Sequence, residues 1–201
     1  MLKNRLKKLK KSIIKILNCI AFFTFVITQY HICKAQDSSK ISIITRIVNF
    51  GFVEPDSPRT PDVIILHSSY CPTKKDSFNL KCILSLYKKY DVSAHYIIDR
   101  GGKIYQLVDE KLIAHHGGKG ILPDGDIKIN TRSLGIELIN TKSSKYTESQ
   151  YIALATLILD IKKRCTINYI LGHNEIAPGR KTDPWNFDWN KINELLKISS
   201  K

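Results

Sequence analysis

From residue 62 onward, apolar and polar positions fall into short runs of clear type. Val63 to Leu66 is a continuous, β-branched run, short enough to be a buried strand, and His67 stands at its C-terminal end. Leu80, Ile83, Leu84 and Tyr87 recur at i, i+3, i+4 and i+7, which predicts one buried helical face, with Asp76 or Ser77 as its cap. In "AHYIIDRGGKIYQLV" two β-prone runs flank Gly101 and Gly102, the residues a tight hairpin turn needs for positive φ. "SLGIELIN" reads as another strand. Thr147-Glu148-Ser149-Gln150 matches a capping box, opening a helix along Ile152, Ala155 and Leu159 that ends at Lys162, Lys163 and Arg164. "TINYILGH" predicts a strand that stops just before His173, and "FDWNKINELL" a short helix capped by Asp188. The glycine-rich "HHGGKGILPDGDIKINT" is expected to be loop. Strands interleaved with helices, plus one hairpin, predict a single α/β domain with a central mixed sheet flanked by helices.

The N-terminal third follows a different pattern. Residues 1–35 hold Lys3, Arg5, Lys7, Lys8, Lys10, Lys11, Lys15 and Lys34 and no acid, so this stretch carries +8 of the chain's +14 and leaves +6 for the rest. A basic start, the uncharged stretch 16–33 and small residues at Cys33 and Ala35 read as a signal peptide, with an uncleaved anchor as the alternative. Either version exports the C-terminal part, to the periplasm or beyond, and only an uncleaved segment touches the membrane. Residues 36–61 are a polar, proline-punctuated lead-in, and 62–201 the folded domain that carries the candidate chemistry. With the charge located, nucleic acid is excluded as a partner, because no patch of interleaved basic and aromatic residues remains.

Cys71, Cys82 and Cys165 lie beyond the leader. In an oxidising compartment Cys71 and Cys82 can bridge a loop to the following helix, or all three stay as thiols. The ionisable residues carry more information. His67 and His173 sit at the ends of two predicted strands, and if those strands are neighbours the imidazoles converge. Asp183, ten residues past His173 and beyond the Pro178-Gly179 turn, can fold back as a third ligand. Two histidines and a carboxylate around an open position form a catalytic zinc pattern, against which stands the reading of two ordinary structural histidines. Glu137 lies inside an apolar strand, either on its solvent face or held as a general base. Lys181 shares a face with Asp183 in an extended segment, where an ammonium can stabilise an oxyanion or simply meet water. His116 is expected to line a pocket, His115 to be peripheral and His95 to be structural. Arg180 is a candidate for a substrate carboxylate. Trp185 and Trp189 are expected in the core or a cleft wall.

"VIILHSS", "SAHYIIDRGGKIYQLV", "AHHGG", "SLGIELIN" and "GHNEIAPGRKTDPW", in this order, resemble the zinc-dependent N-acetylmuramoyl-L-alanine amidases of the amidase-2 family, relatives of the peptidoglycan recognition proteins. The resemblance spans about residues 60–196. It implies a peptidoglycan recognition protein-like fold, Zn2+ held by His67, His173 and Asp183, metal-activated water with Glu137 as its base, and Lys181 as transition-state stabiliser. The implied substrate is peptidoglycan or a muropeptide, 1,6-anhydro forms included, cut between N-acetylmuramic acid and L-alanine. Some relatives carry a catalytic tyrosine where this chain has Ala94, so the base role falls to Glu137. A noncatalytic wall-recognition module on the same fold is the competing function, and loss of a ligand is the mark that would favour it.

Overall fold

The computed structural model describes residues 41–73 and 75–198. The stretch expected to be a signal peptide, 1–35, lies outside them. Six strands form the main sheet in the order β1-β5-β4-β7-β3-β8: β1 (Ile43–Thr45), β3 (Val63–Ser69), β4 (Tyr96–Ile98), β5 (Ile104–Gln106), β7 (Ser133–Ile139) and β8 (Tyr169–Gly172). β4 and β5 are antiparallel and every other neighbouring pair is parallel, so the sheet is mixed, as the element order predicts. A separate pair joins β2 (Phe52–Val53) to β6 (Ile113–Ala114). Among the described residues, no helix is long and apolar enough to cross a membrane.

The strands alternate, and each face gets its own cover. Ile64 and Leu66 of β3 with Leu134, Ile136 and Leu138 of β7 face the long helix α3 (Glu148–Lys162), through Leu154, Leu157, Ile158 and Ile161, and Ile192 of the last helix α5 (Trp189–Ile198). The opposite face is divided. One part packs under helix α1 (Leu80–Tyr90) through Ile83, Tyr87, Ile97 and Ile139. The other packs Val63 and Ile65 against Leu122, Ile129 and Ile176, from the 117–130 segment, the short α2 (Ile129–Arg132) and α4 (His173–Ile176). His67 and Glu137 belong to this divided face, between the two apolar patches.

Four local expectations are corrected. The domain does not begin at Asp62: β1 and β2, inside the 36–61 lead-in, pair with β5 and β6, so prolines at 55, 58 and 61 separate strands instead of preceding the fold. The cap of α1 is Asn79, whose side chain accepts from the Cys82 N–H, in place of Asp76 or Ser77. Only Gly102 takes positive φ in the hairpin turn (83°), because Asp99 Oδ1 accepts from the Gly101 and Lys103 N–H groups and sets the rest of the bend. The glycine-rich stretch holds α2 as well as loop. The α3 capping box, Thr147 with Gln150, and the Asp188 cap, which accepts from the Lys191 N–H, form where the sequence places them.

Candidate metal centre

β3 is flanked by β7 and β8, and the register sets His67 beside Glu137 and Leu66 beside Gly172. His173 follows immediately as the first residue of α4, so both imidazoles emerge at the same edge of the sheet. Asp183 returns on a loop fixed at two points: its carbonyl accepts from the Asn174 N–H (2.8 Å), and the Trp185 N–H donates to Ser68 Oγ (3.3 Å). The result is a tight triangle. His67 Nδ1 is 2.9 Å from His173 Nδ1, His173 Nδ1 is 3.1 Å from Asp183 Oδ2, and His67 Nδ1 is 3.4 Å from the same oxygen. All three residues are buried.

The bonds behind the ligands decide their tautomers. Ser133 Oγ donates to the Ile129 carbonyl, so toward His116 Nε2, 3.2 Å away, it can only accept. His116 Nε2 therefore carries the proton, and its Nδ1 accepts from His67 Nε2–H at 3.0 Å. That leaves His67 Nδ1 as a bare lone pair. His173 reaches the same state directly, because its Nε2–H donates to the Gly117 carbonyl at 3.0 Å. Two lone pairs and a carboxylate oxygen now face one another without a proton among them, an arrangement that repels unless a cation sits at the centre. Ligands about 2.0–2.1 Å from a tetrahedral zinc lie about 3.3 Å apart, close to the separations seen. The donor set fits zinc.

Electrostatics agree with this geometry. Burial pushes the His67 pKa down to about 4, outweighing the opposing pull of Asp183. For Asp183, burial raises the pKa, but the adjacent His173 and His67 imidazoles prevail and hold it well below the carboxylate range. Glu137 is pushed up to about 8, first by burial and then by the charge of Asp183, against the downward pull of Ser69, Tyr87 and Lys181. A dication held in the triangle would pull the Glu137 pKa down and restore a carboxylate able to accept a proton. Lys181 is half-buried, and its charge acts on both His67 and Glu137.

The sequence candidates therefore separate. His67, His173, Asp183 and Glu137 come together, with Lys181 near enough to act on them. His116 stands behind His67, its ring lying against Gly135, where an added Cβ would come within 2.5 Å of His116 Cγ. The Arg180 guanidinium donates to the Gly117 and Lys119 carbonyls and so braces the acceptor of His173. His115 bonds the Asp91 carbonyl away from the site. His95 is structural: its Nδ1 accepts from the Gly135 N–H and its Nε2–H donates to the Leu112 carbonyl. Trp185 stands edge-on to Tyr70, and Trp189 packs on Phe187. Cys71 and Cys82 are joined in a disulfide and Cys165 is free.

Three residues escaped the sequence reading. Ser69 Oγ donates to Glu137 Oε2 (2.8 Å), Tyr87 Oη lies 2.5 Å from Ser69 Oγ, and Ser133 terminates the His116 relay. For Ser69 a signal existed, since it shares the β3 face with His67 at i+2. Tyr87 was accounted for as a core residue by the helical periodicity, which says nothing about where its hydroxyl points.

Residues 57–186 match the amidase-2 family, described as N-acetylmuramoyl-L-alanine amidase. The 1,6-anhydro-N-acetylmuramyl-L-alanine amidase AmpD of Citrobacter freundii is 40% identical over 112 residues, which is 54% of this chain and 59% of that protein. The match thus spans less than two thirds of that relative's length. A crystal structure of a selenomethionine AmpD derivative superposes with a TM-score of 0.68 at 31% identity, over 76% of this chain and 94% of the other. The Escherichia coli amidase AmiD, solved with anhydro-N-acetylmuramic acid-L-Ala-D-γ-Glu-L-Lys, gives 0.60 at 26% identity, over 72% and 65%. With a family match over more than half its length, and two histidines and an aspartate converging at the edge of the matching fold, this chain belongs to the amidase-2 family of N-acetylmuramoyl-L-alanine amidases.

Proposed function

We propose that this chain is a zinc amidase that hydrolyses the bond between the lactyl group of N-acetylmuramic acid and L-alanine of the stem peptide. The observation that carries the reading is the convergence of His67 Nδ1, His173 Nδ1 and Asp183 Oδ2 beside the carboxylate of Glu137. Zinc, when bound, supplies Lewis acidity toward the scissile carbonyl and a water of lowered pKa. His67, His173 and Asp183 would hold the ion. Glu137 takes the proton of the attacking water and passes it to the nitrogen of the leaving amine. Lys181 offsets the negative charge that builds on the carbonyl oxygen. No serine or cysteine nucleophile is required, and Cys71, held in its disulfide, is unavailable for that role.

Soluble 1,6-anhydro-muropeptides are the first substrates to test, because the named relatives are 1,6-anhydro-muramyl amidases. The leader-like sequence of residues 1–35 supports export to the periplasm or beyond, where intact wall is the other substrate. Purified full-length chain, zinc-loaded or chelator-stripped, is incubated with either substrate and assayed for free stem peptide. Release that disappears with the metal and returns with zinc is the expected result. Binding of muropeptide without release, under both conditions, would replace the amidase reading with wall recognition.

A further inference from the structure

We propose that Tyr87 and Ser69 are positioning residues for Glu137, and that the Cys71–Cys82 disulfide keeps the two segments that carry them within reach of each other. The proposal rests on the amidase reading and adds residues that its ligand set and base do not include. The direction of the contacts is fixed by proton count. Ser69 has one hydroxyl proton, and it is donated to Glu137 Oε2 at 2.8 Å. The 2.5 Å contact between Ser69 Oγ and Tyr87 Oη must then use the tyrosine proton. A one-way chain runs from Tyr87 to Ser69 to the carboxylate.

This chain has a mechanical consequence for the base. With Oε2 tied to Ser69, the carboxylate is set in rotation, and Oε1 is the oxygen left to exchange protons with water and amine. Tyr87 is suited to anchor it. Its ring is buried on the inner face of α1, next to Ile83, and its hydroxyl is kept protonated by burial and by the nearby charge of Glu137, so it remains a donor. The position expected to hold a tyrosine in some relatives is Ala94 here, on the hairpin side of the sheet. In this chain a tyrosine hydroxyl reaches the neighbourhood of the base from a helix instead.

The helix is held by a covalent link. Cys71 lies two residues beyond Ser69, and Cys82 lies five residues before Tyr87, with Cα atoms 5.8 Å apart. The Cys71 N–H also donates to the Ser77 carbonyl (2.8 Å), closing the loop between β3 and α1. The bridge therefore connects the strand end that presents one hydroxyl to the helix that presents the other. Its influence on catalysis reaches Glu137 on this account through the Tyr87 hydroxyl, by way of Ser69 and by that hydroxyl's own pull on the carboxylate.

The test compares Tyr87→Phe, Ser69→Ala, Ser69→Thr and the Cys71→Ser/Cys82→Ser pair, alone and combined with Tyr87→Phe. Each is zinc-loaded and assayed on an N-acetylmuramoyl-tripeptide with zinc content measured in parallel. Tyr87→Phe keeps the ring and is expected to lower kcat about tenfold, with KM and zinc content unchanged, the scale of outer hydrogen-bond partners. Ser69→Ala is expected to lose at least as much, and Ser69→Thr, which keeps the hydroxyl, to recover most of it. Removing the disulfide is expected to lower kcat in the parent and to add little in Tyr87→Phe. A Tyr87→Phe protein with parental kcat, or a disulfide effect of the same size in both backgrounds, overturns the proposal. A parent chain that binds zinc and releases no peptide overturns the amidase reading itself, and this proposal with it.

Discussion

β3 and β7 end in two polar clusters of opposite character. At their N-terminal ends, Arg132 clamps Asp62 through Nη2 and Nε at 2.6 and 3.0 Å and reaches Asp124 and Asp126 through Nη1. At their C-terminal edge, one carboxylate faces two neutral imidazoles, and a second carboxylate, Glu137, stands beside them. The first cluster is complete: its cation is covalently part of the chain, and every acid has a partner. The second gathers acids and lone pairs whose charge no side chain of the triangle balances. The same parallel pairing that fixes register at one end thus presents, at the other, a charge deficit that only a ligand can fill. A stabilising cluster and a working cluster differ less in residue type than in whether the charges are balanced from within.

The largest break in this contrast is Asp183→Ala. It removes the carboxylate of the triangle and is expected to take zinc content and peptide release to background, checked by metal analysis and a release assay. Next is Glu137→Gln, which preserves shape and should retain zinc while lowering kcat about 10²- to 10⁴-fold, the span of a lost general base. Normal turnover in that variant would move the base elsewhere. A smaller loss is expected for His116→Ala, where His67 loses the acceptor that fixes its tautomer. Zinc affinity, measured by competition with a chromophoric chelator, should fall about 10- to 100-fold.

The smallest effect on function belongs to the balanced end. Arg132→Met should leave zinc and turnover intact and cost about 1–3 kcal/mol of stability, read from denaturant melts. Its pH dependence has a definite sign. The hydrogen bonds from Arg132 hold the Asp62 pKa below its ordinary value, so this contribution is present above about pH 4 and is lost as pH falls through the lowered value. The stability gap between parent and variant should therefore close in acid. If it stays open, the pairing is not what stabilises this end.

Much of this arrangement is legible in the sequence. His67 and His173 each end an apolar strand run, and sheets of this class set such ends side by side. Asp183 is close enough in sequence to fold back. Other features were hidden for physical reasons. β1 and β2 are short and partly exposed, and Pro55 closely follows β2, so pairing partners and not composition make them strands. Tyr87 and Ser133 occupy slots that packing already explains, and their hydroxyl contacts depend on tertiary approach. The bracing contacts of Arg180 and His116 are invisible in a linear reading because the carbonyl and imidazole they serve are 63 and 49 residues away.

Gly135 shows what this dependence means for tolerance to change. It has no functional group and touches no candidate ligand, yet the His116 ring occupies the space where its side chain would begin. A single methyl group there would displace His116, release the Nε2 side of His67 and let its lone pair turn away from Asp183. The position acts as a fuse: an apparently conservative glycine-to-alanine exchange, invisible to any search for reactive residues, is among the smallest alterations able to silence the centre.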